Sequence, residues 1–178
     1  MRYNFEELLE NCKFVFNNFL KNDYLLIKNK NYEPTVSGRM AMYFRDKLSY
    51  LEKKNVFVDV EYNKYKYDEK SEHCRKIKGK KNKPIRPDII IHERVKQENN
   101  LLYCELKKNA SRNGKDKNKV EEQVKDKKYT FGLYINRIKE KEIQFQIFNN
   151  NVWCLYIYFL DDNSIKEIKW IMNFFLGK

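Results

Sequence analysis

The sequence predicts an α/β fold in which a central mixed sheet is flanked by helices. Three observations carry this. Apolar residues recur at helical spacing near both ends of the chain, short β-branched or alternating runs lie between them, and the order is two helices, three strands, a helix, further strands and a helix. At 178 residues, with 42% apolar and 15% aromatic residues, the chain has the length of one domain (1–178) and enough apolar surface for a continuous core.

Taken in order, Asn4 can cap a helix with Glu7 three residues on, and Phe5, Leu8, Leu9, Cys12, Phe16, Phe19 and Leu20 follow at helical spacing. A second helix begins near Pro34, a residue tolerated in a first turn, and Val36, Met40, Phe44, Leu48 and Leu51 continue its stripe. Val56, Val58 and Val60 alternate with Phe57, Asp59 and Glu61 as in a strand, and the charged stretch 63–83 then reads as a loop or a long mobile hairpin. Asp88 to His92 reads as a buried strand and Leu101 to Lys107 as its antiparallel return. A polar linker, Lys108 to Lys115, leads into a mostly solvent-facing helix anchored by Val120 and Val124. Thr130 to Ile135, Ile143 to Phe148 and Val152 to Phe159 are further strands, the last two joined by the turn formers Asn149, Asn150 and Asn151. Ser164 with Glu167 reads as the capping box of a final helix carrying Ile165, Ile168, Ile171, Met172 and Phe175.

Lys and Arg outnumber Asp and Glu by 37 to 25, and the net charge of +12 creates a field that attracts polyanions, nucleic acid foremost. AT-rich codon usage, which also favours Asn, Tyr and Ile, is the alternative source of that excess. The four cysteines are far apart, so neither a zinc cluster nor a dense disulfide scaffold is expected, and His73 beside Cys74 reads as part of a charged loop. The longest apolar run, Val152 to Leu160, is far short of the roughly 20 residues that span a bilayer. The N-terminus lacks the apolar centre of a secretion signal, so a cytoplasmic location and no membrane partner are expected.

If the strands at Asp88 and Leu101 form a hairpin, the start of the first lies beside the end of the second, and Asp88 neighbours Glu105. Side chains alternate along a strand, so Glu105 and Lys107 share a face. Two close carboxylates repel unless a cation sits between them, and such oxygen ligands suit a hard ion, Mg²⁺ or Mn²⁺. Lys107 would orient or activate a water and stabilise charge at phosphorus. The competing reading makes Asp88 a turn residue and Glu105 and Lys107 the exposed face of an edge strand, but Ile89 to Ile91 and Leu101-Leu102 are too apolar for a surface hairpin.

Pro87-Asp88, followed after a hairpin-sized gap by Glu105-Leu106-Lys107, resembles the signature of the PD-(D/E)xK nuclease superfamily and its restriction-endonuclease-like fold. The surrounding segments are similar to small stand-alone bacterial and phage members. These segments are Glu33-Pro34 with Arg39, Ala41 and Tyr43, then Val58-Asp59-Val60-Glu61-Tyr62-Asn63, Ile89-Ile90-Ile91-His92, Asn100-Leu101-Leu102 and Gly132-Leu133-Tyr134-Ile135. The resemblance covers about 33–135. It implies that Asp88 and Glu105 hold metal, that the Leu106 carbonyl adds a ligand, and that Lys107 is the catalytic lysine. Glu33 matches an acid that members bring from the preceding helix to a second metal, or is a helix-start acid favoured by the dipole. Glu61 faces the same site or pairs with a lysine. Lys119 and Gln123 match positions directed at the active site or the phosphate backbone, or belong to a solvated helix face. His92 is read as a hydrogen-bonded structural histidine.

The run Arg75, Lys76, Lys78, Lys80, Lys81 and Lys83 either neutralises phosphates beside the metal, with salt-dependent affinity, or is a plain charged loop. The function these features imply is Mg²⁺-dependent hydrolysis of nucleic-acid phosphodiesters, with DNA favoured over RNA, in phage defence, repair, recombination or mobile-element maintenance. A homodimer is among the expectations, since related enzymes dimerise. A catalytically weak nucleic-acid-binding subunit of the same fold, and a protein-interaction domain with incidental charge, are the competing readings.

Overall fold

The structure, a computed structural model, describes residues 3–29, 33–61, 64–68, 73–76, 86–94, 99–107 and 114–168. Helix α1 (Phe5–Asn22) starts at the predicted capping box, with the Glu7 N–H donating to Asn4 Oδ1 and the Asn4 N–H to Glu7 Oε2, each at 2.8 Å. A single turn, α2 (Leu25–Lys28), leads to α3 (Glu33–Leu48), and Leu51 is buried from a following 3₁₀ turn rather than from α3 itself. Next come β1 (Val56–Val60), β2 (Lys64–Asp68), β3 (His73–Lys76), β4 (Ile89–Glu93) and β5 (Leu102–Leu106). Helix α4 (Lys115–Lys125) precedes β6 (Phe131–Ile138), β7 (Glu142–Asn149), β8 (Val152–Phe159) and β9 (Ser164–Ile168).

Seven strands form one mixed sheet in the order β1-β4-β5-β6-β7-β8-β9, while β2 and β3 pair as a separate antiparallel hairpin. Every neighbouring pair in the large sheet is antiparallel except β5 and β6, and that parallel pair needs the crossover that α4 supplies. Helices α1 and α3 pack on one face, over Ile89, Ile91, Leu102, Cys104, Leu106, Leu133 and Ile135. The opposite face carries Ile90, Tyr103 and Tyr134, covered by Val120 of α4 and by Tyr129. Strands β4 and β5 are therefore buried on both faces, which is why they read as continuous apolar runs rather than alternating ones.

Gly132 sets how closely α4 approaches. A Cβ there would overlap Val120 Cγ1 and stand 3.2 Å from Val124 Cγ2, so the bare backbone lets the helix sit directly on β6.

One predicted element is corrected. Ser164 to Ile168 is a strand, not the start of a helix: the Ser164 hydroxyl donates to Asp162 Oδ1 (2.6 Å) instead of capping the backbone, and left-handed Asn163 (φ 47°) turns the chain back. Tyr158 then pairs with Ile165, and Leu155 with Ile168. Isoleucines three apart fit a helical stripe, but here pairing with the long β8 edge prevails over that local signal. The remainder of the predicted helix, 169–178, lies outside the described residues. Among the described residues no helix is long and apolar enough to cross a membrane.

Candidate active site

Strands β4 and β5 pair with Ile89 opposite Cys104 and Ile90 opposite Tyr103. Continued by one residue, this register sets Asp88 opposite Glu105. Asp88 sits one residue before β4 and Lys107 one residue after β5, so each lies at a strand end rather than inside the strand as predicted. The Asp88 N–H donates to the Cys104 carbonyl (3.2 Å), and its Oδ2 accepts from the Leu106 N–H (2.7 Å). Glu105 is 3% exposed on the α4 face, where Tyr103 Oη donates to its Oε1 at 2.9 Å.

Two lysines and two further acids complete the cluster. Lys107 Nζ stands 2.9 Å from Glu33 Oε2 at the first residue of α3 and 3.4 Å from Asp116 Oδ2 on the first turn of α4. Asp116 Oδ1 accepts from Lys119 Nζ at 2.6 Å, and the same ammonium lies 3.6 Å from Glu105 Oε2. The sheet thus carries Asp88, Glu105 and Lys107, while α3 brings Glu33 and α4 brings Asp116 and Lys119. Asp116 was not singled out in the sequence; its three-residue spacing to Lys119 on a helix was the available signal.

Electrostatics follow from burial and from the excess of acids. Burial first, and the charge of Asp88 second, push the Glu105 carboxyl up to about 8, against the pull of Lys119 and the Tyr103 hydroxyl. Asp88 is raised by the same burial and by Glu33, with the Leu106 N–H and Lys107 opposing. Burial also works against the charged forms of Lys107, Lys119 and Asp116, but their mutual pairing prevails: both lysines are raised and Asp116 is lowered. With all four carboxylates ionised against two ammonium groups, two negative charges remain, which one divalent cation would balance. A buried carboxyl and a half-buried one, both held above their ordinary range, are a donor pair suited to such an ion. An extended residue presents its N–H and C=O to the same strand edge, so the Leu106 carbonyl leaves β5 on the side where Asp88 stands. Among the described residues no three His, Cys, Asp or Glu side chains are gathered closely enough to enclose an ion by themselves.

Other predicted residues fall elsewhere. Gln123, expected to reach the site or a phosphate, is completely buried under α4, and its side-chain amide has no hydrogen-bond partner among the described residues. That burial removes it from any surface a nucleic acid would touch. Glu61, in a left-handed conformation (φ 48°), is turned out of β1, and its exposed carboxylate lies 3.5 Å from Arg86 rather than in the cluster or beside a lysine. Arg75 and Lys76 belong to β3, where the backbone alone is described; Lys78, Lys80, Lys81 and Lys83 lie outside the described residues. His92 is buried, with Nε2 2.9 Å from Asp59 Oδ2, and Arg94 grips both oxygens of the same carboxylate at 2.9 and 2.6 Å. This is the structural role expected of His92.

Compared with protein-family models, with curated proteins and with solved structures, the chain gives no match in any of the three. The reading of the site therefore rests on its own geometry.

Proposed function

We propose that the chain is a Mg²⁺- or Mn²⁺-dependent nuclease of the PD-(D/E)xK superfamily, with a restriction-endonuclease-like core at about 33–135, acting on DNA in preference to RNA. The observation that carries this reading is the Asp88–Glu105 pair across β4 and β5, with Asp88 half-buried and Glu105 buried, both raised in pKa and flanked by Lys107. A structural ion pair would balance its charges, whereas this cluster keeps an acid in excess at the end of two apolar strands. Asp88, Glu105 and the Leu106 carbonyl would hold the ion, and Glu33 would join them once released from Lys107.

A divalent cation held by these residues would supply Lewis acidity toward the phosphoryl group and lower the pKa of a water. The chain's own residues do the rest. Lys107 donates to the attacking water and to a phosphate oxygen, orienting the one and offsetting the charge that grows on the other. Asp116 holds that ammonium at the strand end, and Lys119 offers a second cation to the phosphate. Tyr103, kept neutral by burial and by Glu105, fixes the Glu105 carboxyl. No covalent intermediate on the protein is needed.

The test is Mg²⁺ and Mn²⁺ titration against plasmid and single-stranded DNA, with Glu105→Ala and Lys107→Ala as controls. Metal-dependent cleavage that falls at least about a hundredfold in each variant is expected; cleavage by both at the wild-type rate refutes the assignment. One observation favours a second reading, a binding subunit without catalysis: Lys107 and Lys119 are already engaged by Glu33, Asp116 and Glu105. Retained binding of DNA with no cleavage under any metal would select it.

A further inference from the structure

The sheet end away from this cluster is also concave. A cleft of about 370 Å³ opens between the C-terminal end of α4, the β7–β8 turn and the starts of β5 and β6. That volume falls within the range of small-ligand pockets. Of its ten lining residues three are lysines, four are asparagines and none is acidic. Lys125, Lys127 and Lys128 stand on the helix side, Asn149 to Asn151 form the opposite wall, and Asn100, 5% exposed, is part of the floor.

Two of the lysines have acids of their own. Lys125 pairs with Glu121 one turn back and Lys128 with Asp126, and neither acid lines the cleft. Lys127 has no ion pair among the described residues, and its backbone is left-handed (φ 54°) just past the end of α4. Glycine or asparagine is the usual occupant of that position, because a Cβ there costs on the order of 1 kcal/mol. A lysine in a strained position, lining a cleft of asparagines and lysines with no acid and without an ion pair among the described residues, breaks a local rule. Asn150 and Asn151, also left-handed, are explained by the tight hairpin turn they form, and both line the cleft. The C-terminal end of a helix repels anions, so the lysines and amides must supply the attraction.

We propose that this cleft binds a phosphate group, of a free nucleotide or of a nucleic-acid strand, through Lys127 and the surrounding asparagine amides, with Lys125 and Lys128 adding to the field. Helix α4, 11 residues and so about 16 Å long, has Asp116 and Lys119 near its start and this cleft at its end. A strand leaving the Asp88–Glu105 cluster would reach the cleft within a few nucleotides. The site does not depend on the hydrolytic reading, because none of its lining residues belongs to the cluster.

The experiment is an amide NMR titration of the full chain in EDTA with three probes: inorganic phosphate, thymidine 5′-monophosphate and a short 5′-phosphorylated oligothymidylate. Saturable shifts at Lys127, Asn150 and Asn151 are expected. Response to phosphate and mononucleotide identifies the phosphate group itself as sufficient, and response to the oligonucleotide alone identifies a strand; either supports the site. Lys127→Gly removes the ammonium while relieving the left-handed strain, so the fold is retained, and it is expected to weaken binding at least about fivefold. Lys127→Gln is expected to do the same. No saturable shift with any probe, or undiminished affinity in Lys127→Gly, overturns the proposal.

Discussion

Replacing Glu105 by Gln is expected to stabilise the metal-free protein, and increasingly so as pH rises. In the folded chain burial pushes the Glu105 carboxyl up to about 8, against an ordinary value of 4.5. The folded state thus holds this proton where the unfolded state has lost it, and wild-type stability declines between pH 4.5 and 8. Below that window the carboxyl is protonated in both states; above it the full cost of ionising a buried group beside Asp88 is present, on the order of 5 kcal/mol. Gln keeps an oxygen to accept from Tyr103 Oη and never ionises, so the variant avoids that cost. Urea unfolding followed by circular dichroism in EDTA, at pH 5 and at pH 9, measures the difference. The variant should lie within about 1 kcal/mol of wild type at pH 5 and exceed it by several kcal/mol at pH 9, while added Mg²⁺ should narrow the gap by stabilising wild type alone. A difference between the two proteins that does not grow with pH refutes the electrostatic account of the site.

Three further outcomes follow from the same structure. Because Glu105 must ionise to hold a cation, Mg²⁺ binding at pH 7 should release close to one proton per ion, read by calorimetry in buffers of different ionisation enthalpy, and affinity that is flat between pH 6 and 8 would count against Glu105 as a ligand. Gly132→Ala drives a methyl group into Val120 and should cost about 2 to 3 kcal/mol in urea unfolding, with α4 displaced; an unchanged midpoint would mean that the helix is not seated as described. The Asp59 carboxyl, despite its burial, is held well below the carboxylate range by His92 and Arg94, so it contributes stability above its ordinary 3.8 that is lost as pH falls further. Asp59→Asn should destabilise the protein by about 1 to 3 kcal/mol at neutral pH and flatten the acid limb of its stability profile.

Elements governed by neighbours in sequence were legible without coordinates. The Asn4–Glu7 capping box, the Val152–Phe159 strand and its asparagine turn depend on contacts within a few residues. The pairing of Asp88 with Glu105 was legible because a hairpin has one compact register that buries both apolar runs. Gln123 stayed open between the site and a solvated face because one face of α4 is buried and the other solvated, and the choice between them depends on how the helix is rotated over β6. Glu61 was ambiguous because strand alternation predicts its direction only while the strand continues, and the left-handed residue breaks it.

The sequence by itself determined the mixed architecture, the antiparallel β4–β5 pair and the meeting of Asp88, Glu105 and Lys107 at its end, since period and turn chemistry are local properties. The tertiary structure alone decided that Asp116 and Lys119 join the cluster, that residues 164–168 extend the sheet, and that burial raises Glu105. Those outcomes depend on which surfaces come together: Gly132 admits α4 to the sheet, β8 offers an unpaired edge, and water is excluded from Glu105 only once α4 and the Tyr103 layer have closed over it.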